Sequence, residues 1–287
     1  MSPIIAEITI PACNSPDIPA HTLACYAWGD RSHPALLCVH GLTRNGRDFD
    51  YLAATLSENF YVLCPDMPGR GNSSRLPATH YNYPTYLYDI ELLLQAKNIQ
   101  NVHWLGTSMG GIIAMLMANK KPGLIRSLIL NDVGCTITVA ALARILQYTS
   151  GNKQFSTAEE AQAQIRTNCA MFGIRDDAHW QHMFTHGICK RQDGSYTLHY
   201  DPAILAGMQA GELADVNLWP LWDAIKPIPT LLIRGDTSDV LLEETAAAMA
   251  HSHPGLTRMN IHKTGHAPAL MAEEQTRQIK DWLLQVA

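Results

Sequence analysis

A serine bracketed by glycines is the stretch of this chain with the most chemistry in it. In Leu105-Gly106-Thr107-Ser108-Met109-Gly110-Gly111, glycines stand two residues before and two residues after Ser108. An apolar run with strand character, Val102 to Leu105, leads in, and a long apolar run, Ile112 to Ala118, leads out. A serine forced into a tight strand-to-helix turn has its hydroxyl lifted clear of the sheet. Neighbours without a Cβ let the chain cross itself there. The amide N–H groups that open the helix then face any negative charge developing nearby. Alone, the pattern also fits an ordinary glycine-rich turn before a buried helix, so the other residues decide.

A serine hydroxyl is a poor nucleophile until a base takes its proton, and the base needs an orienting acid. His266 is the candidate base, in His262-Lys263-Thr264-Gly265-His266-Ala267-Pro268 after the last strand. For the acid, Asp239 in Arg234-Gly235-Asp236-Thr237-Ser238-Asp239 gives the order Ser108, Asp239, His266. It is preferred because its loop adjoins that of the histidine with the least chain in between. Asp132, just past the strand that follows the elbow helix, is the alternative acid, and Asp236 ranks third. Each aspartate also suits the commoner work of capping a helix or bracing a turn. A tetrahedral oxyanion needs two donors. The backbone N–H groups of Met109 and Leu42 are expected to supply them, the second from the loop after His40-Gly41. Arg44 and Arg47 follow in that loop, where an arginine could read a substrate carboxylate; the preferred alternative is that both are solvated or salt-bridged to Asp48 or Asp50.

These residues need elements to hold them. Ile4 to Ile10 and Thr22 to Trp28 read as strands, with a proline-rich turn between. Ala35 to Val39 is a continuous apolar run of the kind covered on both faces, Tyr61 to Cys64 and Leu124 to Leu130 read as further strands, and strand character resumes at Thr230 to Ile233 and around Thr257 to Ile261. Between them lie helical patterns: Phe49, Leu52, Ala53 and Leu56 on one face, Thr85 to Lys97, and Ile279, Trp282, Leu283 and Val286 at the end. Strand and helix alternate, which predicts an α/β fold with a mostly parallel sheet and helices on both faces. From about Cys135 to Ile225 the alternation stops and helix is expected to follow helix. Leu142, Ile145, Leu146 and Thr149 share one face, and Thr157 to Met171 and Asp176 to Gly187 form two more. The expected division is a core of 1–133 and 226–287 with an inserted helical unit of 134–225.

Composition narrows the rest. The 287 residues are 47% hydrophobic with a formal charge of −5 and a pI near 6.2, which does not support a nucleic-acid partner. No apolar run approaches the roughly 18–20 residues needed to cross a bilayer, and the amino terminus lacks the pattern of a signal peptide. Seven scattered cysteines without C-x-x-C spacing suit a reduced, cytoplasmic protein.

His40-Gly41-Leu42, Asp66-Met67-Pro68-Gly69-Arg70-Gly71-Asn72-Ser73, Gly106-Thr107-Ser108-Met109-Gly110-Gly111 and Gly265-His266-Ala267-Pro268 together resemble the α/β-hydrolase family over nearly the whole chain. In that family the first and third stretches supply oxyanion hole and nucleophile, the last the base, and the second is mainly structural. The resemblance implies that the helical insertion is a cap over the pocket. Members often carry the acid three residues after the glycine of the penultimate strand. Here that residue is Ser238, and others place the acid where Asp132 lies. The implied function is a serine hydrolase acting through an acyl-enzyme on a small carboxylic ester, lactone or related acyl compound. It needs no metal or cofactor. Serine at the elbow argues against the similar haloalkane dehalogenases and epoxide hydrolases, which use aspartate. The alternatives are a hydrolase of carbon–carbon bonds in ring-fission diketones, and a non-catalytic small-molecule receptor.

Overall fold

A computed structural model describes residues 3–14, 17–149, 154–206 and 212–287. Eight strands form the central sheet: β1 (Ile4–Ile10), β2 (His21–Trp28), β3 (Ala35–Val39), β4 (Tyr61–Pro65), β5 (Val102–Thr107), β6 (Ile125–Asn131), β7 (Thr230–Gly235) and β8 (Leu256–Ile261). Their order is β1-β2-β4-β3-β5-β6-β7-β8. β1 runs antiparallel to β2, and β2 to β4; every other pairing is parallel. The buried runs of the sequence become the middle strands because both of their faces are covered.

On one face lie α1 (Asp50–Leu56) and the final helix α8 (Glu273–Val286), whose Leu52, Leu56, Ile279, Trp282 and Leu283 share a core with Phe49 just before α1 and with Leu36, Cys38 and Ile129. On the other lie α2 (Tyr83–Ala96), the elbow helix α3 (Met109–Lys120) and α7 (Glu243–Ser252). α2 is capped by Asn82, whose side chain accepts from the Thr85 amide. α7 starts at Glu243, and Val240 and Leu241 are buried in the loop before it.

Between β6 and β7, which are neighbours in the sheet, the chain leaves and returns. Thr136–Ile137 and Val216–Asn217 pair antiparallel at the neck of this excursion. It contains α4 (Val139–Thr149), α5 (Ala158–Asn168) and α6 (Asp177–Gly187), with Thr157 and Asp176 as capping side chains for the last two. The expectation of helix after helix is corrected in one respect. Ile188–Lys190 and Tyr196–Leu198 form an antiparallel hairpin that a purely helical reading missed. Its strands are only three residues long and alternate poorly, so periodicity carries little signal there. Phe155, Ile165, Trp180, Phe184, Leu198 and Ile204 give this region a core of its own.

Two backbone hydrogen bonds fasten the region to the turn after β4, from Gly71 N to His199 O at 2.9 Å and from Asp201 N to Gly69 O at 2.7 Å. Two more fasten it beside His266, from Gly265 N to Met171 O at 2.7 Å and from Ala269 N to Phe172 O at 3.0 Å. Among the described residues no helix is long and apolar enough to cross a membrane. Six cysteines there are free, five of them buried as small apolar groups.

Candidate active site

β5 ends at Thr107 and α3 begins at Met109, leaving Ser108 alone in the turn with φ +50° and ψ −112°. A non-glycine residue rarely adopts positive φ, and here the surroundings enforce it. A Cβ on Gly106 would stand 2.4 Å from the Gly110 backbone, and one on Gly110 would stand 2.0 Å from the Val39 carbonyl oxygen. The crossing expected from the glycine spacing is therefore physical contact, strand against helix start against neighbouring strand. The Ser108 amide donates to Asn131 O at 3.0 Å, which ties the turn to the end of β6.

Ser108 Oγ and His266 Nε2 are 3.0 Å apart, and His266 Nδ1 lies 3.0 Å from Asp132 Oδ1. A carboxylate only accepts, so Nδ1–H donates to Asp132 and Nε2 is left to accept from the serine hydroxyl. Asp132 is fully buried, with its own φ at +56°. Its carboxylate accepts from the Gly235 amide at 2.6 Å and from the Ser238 hydroxyl. Ser238 Oγ in turn accepts from the amides of Val240 and Leu241, both at 3.2 Å. Asn131 braces the far side, donating from Nδ2 to Pro268 O at 2.9 Å in the histidine loop.

The preference for Asp239 is corrected by this geometry. Asp239 is 46% exposed and paired with Arg144 of α4 through both carboxylate oxygens, its Oδ1 accepting from Arg144 Nη2 at 2.7 Å. Asp236 faces solvent, where it accepts from the Thr264 amide at 3.3 Å and lies 3.4 Å from His262 Nδ1.

His40 is fully buried, and its Nδ1–H donates to Gly41 O at 2.7 Å while Nε2 accepts from the Met67 amide at 2.9 Å. Gly41 O also accepts from the Arg44 amide at 3.2 Å. In a trans peptide the N–H points opposite to the C=O, so holding the Gly41 carbonyl fixes the direction of the Leu42 N–H. Burial pushes the His40 ring down to about 3, so it works as a neutral bracket. Met109, the first residue of α3, has an amide without an intrahelical acceptor.

The serine opens on a cavity of about 50 Å³ lined by Leu42, Arg44, Phe172, Met183, His266 and Met271, among others. Arg44 is spoken for: Nε and Nη2 clasp Asp48 at 2.8 and 2.6 Å. Arg47 similarly clasps Asp50 through Nε at 2.9 and 2.7 Å. The pairings, rather than a free anion reader, are what the structure holds. One grouping with metal-ligand spacing exists among the described residues, Asp50 with His182 and His186. Two of its members already have partners, since Arg47 holds both Asp50 oxygens and His182 Nε2 donates to Arg47 O at 2.8 Å. Burial and the nearby Arg47 push His186 down to about 4.

The sequence reading passed over Ser238 as a departure and gave Arg70 no more than a structural turn. The serine stands three residues after Gly235, a spacing that marked the position without revealing its bond to Asp132.

The model of the α/β hydrolase fold matches residues 34–271. The chain belongs to the α/β-hydrolase family. A 3-hydroxybutyrate-oligomer hydrolase of Cupriavidus necator is 38% identical to it over 269 residues, 89% of this chain and 90% of that protein. A solved structure from Rickettsia typhi superposes with a TM-score of 0.92 at 35% identity, over 99% of this chain and 100% of the other. An α/β hydrolase from Novosphingobium aromaticivorans does so with a TM-score of 0.86 at 33% identity, over 98% and 99%.

Two measurements follow from this geometry. Asp132→Asn should lower ester turnover by about 10³–10⁴, because the amide can present the wrong tautomer of His266, while Asp239→Asn keeps most of its activity. The reverse ranking, at unchanged Tm, would return the acid to Asp239. His40 sets a pH dependence of stability. A histidine whose folded value lies below its ordinary 6.5 favours the folded state at high pH, and that contribution is lost as pH falls through 6.5 toward 3. Going from about pH 8 to about pH 5 should remove about 2 kcal/mol on this account. In urea unfolding, His40→Gln should lack that part of the decline; equal slopes for both proteins would show that His40 is not the source.

Proposed function

We propose that the chain is a serine hydrolase of short carboxylic esters, with Ser108 as nucleophile, His266 as base and Asp132 as the orienting acid. The observation that carries this reading is the unbroken relay of two 3.0 Å hydrogen bonds from Ser108 through His266 to buried Asp132, beside a cavity. Ser108 Oγ adds to the ester carbonyl while His266 Nε2 takes the hydroxyl proton. The amides of Leu42 and Met109 hold the oxyanion of the tetrahedral intermediate. As the carbonyl re-forms, the C–O bond to the alcohol breaks and His266 returns the proton to that alcohol. Water then attacks the acyl-enzyme with His266 again as base, and the acid leaves with Ser108 restored. The balance is ester plus water to acid plus alcohol, with no redox step.

The substrate we propose is a short oligoester of a hydroxy acid. The relative from Cupriavidus necator, similar over nearly its full length, is named for 3-hydroxybutyrate oligomers. The shape of the site supports the same class. The small cavity at Ser108 suits a unit of a few heavy atoms. A larger groove of about 540 Å³ shares Phe172, Ala269 and Met271 with it, room for the units that follow. Gln275, Gln278, Asn260 and Thr264 line that groove and could meet ester carbonyls along a chain.

A fluorophosphonate probe should label Ser108 alone, and Ser108→Ala should lose both labelling and turnover, by on the order of 10⁴ or more. Labelling that persists in the variant overturns the mechanism. For the substrate, kcat/KM should rise from monomeric ester to dimer and trimer of 3-hydroxybutyrate, and Gln278→Trp, which narrows the groove, should cut the trimer more than a p-nitrophenyl acetate control. Monomeric and oligomeric esters cleaved alike by both proteins would remove the oligoester from the proposal and leave the esterase.

A further inference from the structure

The turn after β4 looks structural in the sequence, yet it places a charge deep in the molecule. Arg70 is 0% exposed. Its Nε donates to Leu42 O at 2.8 Å, and its Nη1 donates to Pro68 O at 2.7 Å and to Tyr86 Oη at 2.9 Å. Nη2 reaches Met109 Sδ at 3.6 Å. The guanidinium lies over the rings of Tyr86 and Tyr81, 5.3 and 5.8 Å from their centres.

All of these partners are formally neutral. Among the described residues no carboxylate oxygen lies within 4.0 Å of this guanidinium. Asp201 is linked to it through Tyr81, whose hydroxyl donates to that carboxylate at 2.8 Å. Arg44, Arg47 and Arg144 are each clasped by an aspartate instead. Arginine keeps its charge in proteins, and a buried charge without a counter-ion is costly compared with an apolar side chain of the same length.

Beyond its own turn and α2, the hydrogen bonds of the Arg70 side chain reach Leu42 and Met109, whose amides face the developing oxyanion in the proposed mechanism. Leu42 is thereby held on both sides, with Gly41 O bound by His40 before it and its own carbonyl bound by Arg70 after it. We propose that Arg70 is a positioning residue for the oxyanion: it fixes the Leu42 peptide and sets an unneutralised positive charge behind the Leu42 and Met109 amides. In a site shielded from water such a charge favours the anionic tetrahedral adduct over the neutral ester. The proposal rests on the serine-hydrolase reading and on those two amides as its oxyanion donors.

The test compares Arg70→Gln and Arg70→Lys with the wild type. Tm, kcat and KM are measured for p-nitrophenyl acetate, and the inhibition constant for phenylboronic acid, which forms an anionic tetrahedral adduct on a reactive serine. Arg70→Gln should lose about 100-fold in kcat and in boronate affinity together, with KM held within about threefold, a loss of the size seen when an oxyanion donor is removed. Arg70→Lys keeps a cation without the three-way fork and should lose about tenfold, again in kcat. A folded Gln variant with kcat and boronate affinity unchanged overturns the proposal, and so does a loss that falls equally on KM. Should the Gln variant not fold, the Lys variant decides by the same criterion. A wild type that fails to label at Ser108 counts against the serine-hydrolase reading itself, whereas normal labelling without the Arg70 effect counts against this proposal alone.

Discussion

The crossing of three backbone segments at the elbow is the constraint on which the rest of the site depends. Gly110 sits on the Val39 carbonyl and Gly106 sits on Gly110, with no room for a methyl group at either place. Val39 and Gly106 are register partners on adjacent strands, so this contact brings the loop after β3 alongside Ser108. From there each strand end hands the site to the next. The Ser108 amide donates to Asn131 O at the end of β6, and the Asp132 amide donates to Ile233 O in β7. Ser108, Asp132 and His266 thus stand together along the carboxyl edge of a parallel sheet, where open α/β folds place their ligand sites. Moving any one of these strands by an ångström would lengthen the 3.0 Å bonds beyond hydrogen-bond reach.

A second layer of buried polar groups keeps that edge from relaxing, and each member is satisfied in its own way. His40 is kept neutral, with one nitrogen donating and the other accepting. Asp132 keeps its two oxygens filled by a ring N–H, a hydroxyl and a backbone amide. Arg70 satisfies its hydrogen bonds on carbonyls and a tyrosine but leaves its charge unneutralised. Satisfied donors and acceptors make these groups tolerable in the interior. The excursion between β6 and β7 joins this layer at two places, next to Arg70 at residues 199–201 and on both sides of His266 at residues 171–172. The wall of the pocket and the alignment of His266 are therefore mechanically linked.

Much of this was legible in the residues. The continuous apolar runs announced the inner strands, because covering both faces of a parallel strand demands them. The glycine spacing announced the crossing, because no other residue fits there. The histidine after the last strand was legible from its place in the chain. Less legible was the region between Cys135 and Ile225, where a three-residue hairpin leaves no periodic trace. The arginines of the oxyanion loop could be read either way until Asp48 and Asp50 were seen clasping them. Arg70 shows the same limit more sharply. A charged residue in a glycine-rich turn looks solvated in one dimension, and only the packing of Tyr81, Tyr86 and Leu42 around it removes the water.

The acid illustrates why a position in sequence and a position in space need not coincide. Along the chain, Asp239 is the nearest to His266 of the three candidate aspartates. The quantity that matters is the distance to His266 Nδ1, and β6 reaches it from the other side. Its left-handed residue at the strand end turns the Asp132 side chain toward the ring. The two loops then converge on one spot. Ser238, at the spacing where the resemblance would put a carboxylate, donates its hydroxyl to the carboxylate that Asp132 brings. A second carboxylate there would face Asp132 across a buried hydrogen-bond distance, and like charges so placed repel strongly. A serine fits because it supplies the donor that a buried acid requires. The departure at Ser238 and the buried carboxylate of Asp132 are two halves of one arrangement, and Asp239, one residue further on, is free to hold Arg144 at the surface.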